Sequence, residues 1–299
     1  MRRRPRRARR AALIFAALLA ATPLPAAELL GSHAWRPGWH GAGGYSALWL
    51  DEDGEAFATL SDRGSWVRGR LRRDATGAVA AVEVEDRGPL LRVDGGALRG
   101  AEGDAEGLAR TADGFFVSYE GVSRVMRHGP DLGAPPRRIP LVREFDGLQF
   151  NSGLEALAAD AEGRLYAIPE RSGAQNRPFP VFRFADGAWT QPFALRRDGR
   201  FLVTGADVGP DGRLYVLERD FALIGFRSRV RSWRLDGTDE RVELESGLRA
   251  HDNLEGIAAW RDRAGRMRLT MISDDNLRAV QHTEFVDYVL GAGTPPGEG

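Results

Sequence analysis

Five segments of this chain share one pattern: a strand-like run opened by a polar residue, a turn rich in Asp and Gly, and a second run ending on a carboxylate. They span 44–63, 105–120, 153–171, 205–219 and 254–275, around the turns Asp51-Glu52-Asp53-Gly54, Asp113-Gly114, Asp160-Ala161-Glu162-Gly163, Pro210-Asp211-Gly212 and Asp262-Arg263-Ala264-Gly265. The recurring first position holds Ser46, Glu106, Glu155, Asp207 and Glu255, at intervals of 60, 49, 52 and 48 residues. That period fits a propeller blade of four short antiparallel strands, a unit that buries its faces only by stacking in a ring.

The strands are legible one by one. Phe115-Phe116-Val117-Ser118-Tyr119, Arg164-Leu165-Tyr166-Ala167-Ile168 and Arg213-Leu214-Tyr215-Val216-Leu217 are β-branched and aromatic, and each follows an Asp/Gly turn. Pro180–Phe184 and Arg229–Leu235 read as further strands, the latter alternating charged and apolar residues like an outer strand with one wet face. No long 3.6-residue period follows the first 30 residues. The expected fold is therefore all-β, a β-propeller of four-stranded antiparallel blades. Five blades follow from the repeat count, and a sixth would have to lie between Trp66 and Arg99, the longest interval. Residues 280–290 supply a late strand, and Ser32-His33-Ala34-Trp35 is a candidate to close the ring as the last blade's outer strand.

Hairpin geometry then locates the acids. In an antiparallel pair the start of the first strand lies beside the end of the second. The paired carboxylates are 11 (Asp207 to Glu218) to 19 (Glu255 to Asp274) residues apart, two short strands and a turn. First strands line the channel of a propeller, so the pairs should converge on one mouth. The expected ring is Asp62, Glu106, Glu120, Glu155, Glu170, Asp207, Glu218, Glu255 and Asp274, with Asp275 beside it and Ser46 in the first blade's place. Crowded carboxylates must be protonated, paired with Arg or bound to a cation, and an oxygen-only donor set suits Ca²⁺. The plain alternative is that these acids merely end strands and pair with neighbours.

Arg63, Arg171 and Arg219 each follow one of these acids directly. Adjacent strand residues point to opposite faces, so two readings stay open. Each Arg braces the neighbouring blade's acid, or the three together clamp an anionic substrate. Among five histidines only His251, in His251-Asp252-Asn253-Leu254-Glu255, lies beside the expected ring, which makes it the candidate proton carrier. No Gly-x-Ser-x-Gly elbow supports a lipase-type serine.

Composition removes other classes. There is no Cys, so disulfides, thiolate metal sites and cysteine nucleophiles are out. Residues 1–27 join an Arg-rich start, an apolar run from Ala11 to Ala21 and small residues, the layout of an export signal rather than a membrane span, which needs roughly 20 apolar residues. Arg9-Arg10-Ala11-Ala12-Leu13 resembles a twin-arginine signal, so Sec and Tat routes both stay open. Its first ten residues hold 7 of the 42 basic side chains, so the mature chain has 35 against 42 acids, a net −7. Nucleic acid is a poor partner for such a surface. The expected organisation is a signal at 1–27, one propeller domain over 28–290 and a disordered Gly/Pro tail at 291–299, in a periplasmic or secreted monomer with no transmembrane segment after signal removal.

Gly43-Gly44-Tyr45-Ser46-Ala47-Leu48, Leu60-Ser61-Asp62-Arg63-Gly64, Asn151-Ser152-Gly153-Leu154-Glu155-Ala156-Leu157, Leu217-Glu218-Arg219-Asp220, Asp252-Asn253-Leu254-Glu255-Gly256-Ile257 and Ser273-Asp274-Asp275-Asn276 together resemble the bacterial phytase-like family, labelled "esterase-like activity of phytase". The motifs occur in order over about 43 to 276. The resemblance implies an exported propeller related to propeller phytases, which hydrolyse phosphate esters with Ca²⁺ at an acidic channel mouth. Such phytases bind phosphate with many Lys and Arg, and this chain has no Lys.

Two functions fit this reading. One is a Ca²⁺-assisted hydrolase of a small anionic or ester substrate, with Glu155, Glu255 and His251 at the chemistry and Arg63, Arg171 and Arg219 on the substrate. The other is a non-catalytic propeller that binds a ligand or protein, any cation being structural.

Overall fold

The computed structural model describes residues 27–141, 153–222, 224–276 and 281–291. The expected export signal, apart from Ala27, and the expected Gly/Pro tail, apart from Gly291, lie outside them. Twenty strands form five four-stranded antiparallel sheets, and the single 3-10 turn, Gly100–Glu102, is the helical element among the described residues. No helix there is long and apolar enough to cross a membrane.

Blade one is β2 (Tyr45–Leu50), β3 (Ala56–Ser61), β4 (Ser65–Arg73) and β5 (Val79–Pro89). Blade two is β6 (Ala105–Thr111), β7 (Gly114–Tyr119), β8 (Arg124–Gly129) and β9 (Arg137–Arg138). Blade three is β10 (Leu154–Ala159), β11 (Leu165–Pro169), β12 (Phe179–Ala185) and β13 (Ala188–Leu195). Blade four is β14 (Leu202–Val208), β15 (Arg213–Ala222), β16 (Gly225–Arg234) and β17 (Arg241–Glu245). Blade five takes β18 (Asn253–Arg261), β19 (Met267–Asp274) and β20 (Glu284–Val289) from the C-terminal end, and its outer strand is β1 (Glu28–Ala34). β1 pairs with β20 from Glu28 opposite Val289 to Ala34 opposite Glu284, which closes the ring. The interval that left room for a sixth blade is filled by β4 and β5, the long outer strands of blade one, so the count is five.

Asp and Gly do different jobs in the turns. Asp160 accepts hydrogen bonds through Oδ1 from the amides of Glu162 and Arg164, while Gly163 adopts φ 79°, a left-handed position that costs glycine little. Buried apolar side chains form layers between neighbouring blades: Leu60 and Trp66 meet Phe115 and Val117, and Tyr45 and Phe57 meet Ile272 and Phe285.

The five innermost strands share one irregularity. Each pairing register slips at the second or third residue of the strand, at Ser46, Glu106, Glu155, Thr204 and Glu255. A β-bulge leaves its extra residue unpaired and re-aims the side chain, so this one device turns five side chains toward the same end of the channel. Just beyond the bulges the five strands close in. A Cβ added to Gly205 would lie 2.3 Å from the Glu255 carbonyl oxygen, and one added to Gly107 would lie 2.7 Å from the Leu157 Cβ. Leu48, Leu108, Leu157, Ala206 and Ile257 help fill the channel there and leave about 10 Å³, the room of one water. The axis is plugged, and its two mouths are separate.

Candidate functional site

At the mouth where the inner strands begin, each blade contributes two equivalent positions. The bulge residues are Ser46, Glu106, Glu155, Thr204 and Glu255. Beside them, on the second strands or just past their ends, come Asp62, Glu120 and Glu170, whose amides donate to the carbonyls of Gly44, Asp104 and Gly153, and Arg219 and Asp274, paired with Leu202 and Asn253. Seven of the nine carboxylates expected from the sequence therefore meet here, and blade four breaks the pattern.

Two of the expected acids lie elsewhere, and backbone register is the reason. Gly205-Ala206-Asp207-Val208 looks like Gly153-Leu154-Glu155-Ala156, yet pairing makes Thr204 the counterpart of Glu155, and the repeat spacings become 60, 49, 49 and 51. Asp207 sits three residues on, toward the opposite mouth, where its oxygens accept from the amides of Val208 (2.9 Å) and Ala259 (2.8 Å) and desolvation pushes its pKa up to about 7. Glu218 precedes the mouth position by one residue, so it points away. It is buried with Arg229 Nε at 2.9 Å and Arg231 Nε at 2.7 Å.

The three arginines separate in the same way. Arg219 takes the place of an acid, donating to Asn253 Oδ1 and Glu255 Oε1 (2.5 Å each) and lying 3.4 Å from Glu170 Oε1, so it braces blades three and five. Arg63 and Arg171 lie one residue beyond their acids and are exposed; Arg171 Nε reaches Glu170 of its own blade at 2.8 Å. The three therefore form no single clamp. His251 is buried in the approach to β18, its Nε2 2.7 Å from the Tyr288 hydroxyl and its Nδ1 4.0 Å from Glu284. Its burial lowers its pKa, and no mouth carboxylate is among its bonded partners in the described residues.

The carboxylates perturb one another strongly. Burial, then the charges of Glu155 and Glu255, hold the Glu106 pKa well above the usual range. Burial and then Glu120 and Glu170 do the same to Glu155. Desolvation raises Glu120 to about 7 and Asp274 to about 8, and it also raises Asp62 and Asp104. Glu255 is raised by burial too, with Arg219 and Asn253 opposing the shift. Oxygens of Asp104, Glu106 and Glu120 lie within 4.8 Å of one another, and so do those of Glu120, Glu155 and Glu170. Either group could hold a metal ion, with Glu120 common to both.

Asp104 and Asn253 were not singled out in the sequence. Both lie two residues before a bulge residue, where blades one and three have Gly44 and Gly153. An oxygen-bearing residue replacing that glycine was the available signal. Asp275 is also close, since its Oδ1 accepts from the Gly44 amide at 3.1 Å.

A family model described as "Phytase-like: Esterase-like activity of phytase" matches residues 40–277. No curated protein matches the sequence. Among solved structures, the catalytic domain of a GH62 α-L-arabinofuranosidase from Coprinopsis cinerea is similar at TM-score 0.52 and 10% identity, over 90% of this chain and 98% of that one. The α-L-arabinofuranosidase PaAbf62A from Podospora anserina is similar at TM-score 0.51 and 8% identity, over 87% and 95%. A thermostable family-43 glycoside hydrolase gives TM-score 0.50 and 8% identity, over 87% and 96%. At these identities the likeness is one of fold.

Proposed function

The chain belongs to the phytase-like family, and from that premise we propose that it is an exported hydrolase of phosphate or related esters whose mouth carboxylates act around Ca²⁺. The observation that carries the proposal is the pair of oxygen triads sharing Glu120, set among carboxyls whose pKa values burial and mutual repulsion raise. Hard oxygen donors without His or Cys match Ca²⁺ chemistry. When bound, the ion supplies charge neutralisation of the ester and a more acidic water.

The chain's own residues do the rest. Either Asp104, Glu106 and Glu120 or Glu120, Glu155 and Glu170 would hold a cation. Glu255 lies outside both triads, is oriented by Arg219 and Asn253, and takes the proton of the attacking water. Arg63 and Arg171 on the rim attract the anionic end of the substrate. The arginine-rich and apolar layout of residues 1–27 supports export.

The test is turnover of an aryl phosphate, phytate and an aryl acetate with Ca²⁺ and with chelator, beside a melting curve in each condition. The proposal expects Ca²⁺ to raise the Tm and to be required for hydrolysis, with Glu255→Gln keeping the Tm shift and losing activity. Ca²⁺ stabilisation without turnover of any ester would favour a non-catalytic binding propeller. No Tm shift at all would sink the metal site.

A further inference from the structure

The opposite mouth of the channel is a second pocket, and we propose that it binds a small monocarboxylate with an apolar body through Arg110. Each inner strand sends its residue four beyond the bulge to this opening: Leu50, Arg110, Ala159, Val208 and Ala259. Four of the five are small or aliphatic, so Arg110 is the one polar member of the ring. The cavity has a volume of about 770 Å³, within the range of small-molecule sites. Its inner end is the aliphatic plug, so a ligand here has no path to the acidic mouth.

Arg110 is held and uncommitted. Its guanidinium lies 4.6 Å from the Trp49 ring centroid and 5.1 Å from that of Phe115, and the two rings meet edge to face at 5.4 Å. It is exposed and makes no hydrogen bond or ion pair with any described residue, although most arginines among the described residues are ion-paired. A guanidinium stacked on aromatic rings has lost part of its rotamer freedom while keeping its donor edge, which matches a carboxylate bidentately. The surrounding apolar ring favours a ligand whose remainder is hydrocarbon or aryl.

The outer rim selects against multiply charged anions. Glu52, Asp53 and Glu162 line it as exposed carboxylates, and Arg164 is already engaged by Asp160 and Glu162. Asp51 and Asp207 also line the pocket, so a phosphate or polyphosphate would meet this negative field with every charge, whereas a monocarboxylate meets it with one charge that Arg110 can pair. These features belong to residues that play no part in the proposed ester chemistry.

The experiment is calorimetric titration of the full chain at pH 7.5 with octanoate, phenylacetate, inorganic phosphate and octylamine, repeated on Arg110→Gln and Glu155→Gln. Octanoate or phenylacetate should bind, Arg110→Gln should weaken that binding at least tenfold with an unchanged Tm, and Glu155→Gln should leave it unaltered. The proposal is overturned if neither carboxylate binds at millimolar concentration, or if Arg110→Gln binds as the wild type does. Phosphate or octylamine binding more tightly than octanoate, and weakened by Arg110→Gln but not by Glu155→Gln, would equally refute it, as would loss of carboxylate binding in Glu155→Gln.

Discussion

Glu218 and Arg219 are neighbours in the chain with opposite duties, because strand alternation sends them to opposite faces. Glu218 lies against Arg229 and Arg231, whose side chains are 4% and 0% exposed. Glu218→Gln removes the carboxylate the two guanidinium groups share and leaves Arg229 with Asp198 and Arg231 with Glu240, so a loss of about 1–3 kcal/mol is expected on denaturant unfolding, with Ca²⁺ response unchanged. Arg219 instead neutralises part of the acidic mouth. Arg219→Gln removes a cation from beside Glu170 and Glu255, so the metal-free protein should melt lower and gain more from Ca²⁺ than the wild type. Equal Ca²⁺ gains in the two variants would contradict the placement of these two side chains.

At the scale of the strand, the five bulges carry the site, and they depend on close backbone approach just beyond them. Gly205 follows the Thr204 bulge against the Glu255 carbonyl, with backbone on both sides of the contact. Gly205→Ala should therefore cost about 1–3 kcal/mol by overpacking and should also displace Glu255, lowering turnover beyond what the Tm change accounts for. A variant with wild-type Tm and turnover would show that the contact yields easily. This element also explains what the sequence could and could not disclose. Blade period, hairpins, Asp/Gly turns and the closing strand were legible because β-branched runs and turn residues mark them locally. In four blades the acid positions were legible too. Blade four was not, because its inner strand carries Thr204 where the others have Ser or Glu, and Asp207 imitates the motif three residues late. Register is a matter of hydrogen-bond pairing, which residue types alone do not encode when the marker residue changes. His251 is a different case: proximity in sequence to Glu255 says nothing of the Tyr288 hydroxyl that holds its ring.

Across the whole molecule, the perturbed carboxyls tie stability to pH and to cations. In the unfolded chain Asp and Glu release protons near pH 4, whereas in the folded protein Glu120 and Asp207 hold theirs to about 7 and Asp274 to about 8. The native state thus binds more protons than the unfolded state between those limits, so stability falls as pH rises through that window. This is the reverse of the usual salt-bridged carboxylate. In chelator, the Tm should be highest near pH 4 to 5 and should drop steadily toward pH 8. A divalent cation at the mouth replaces those protons, so the Ca²⁺-induced gain should grow with pH over the same range. Asp207 supplies an internal control, since it lies toward the other mouth, away from both oxygen triads. Asp207→Asn should flatten part of the pH slope in chelator while leaving the Ca²⁺ gain at each pH as in the wild type. A Tm in chelator that is level or rising from pH 5 to 8 would show that the mouth carboxylates ionise without strain, and the case for a cation there would lose its electrostatic basis.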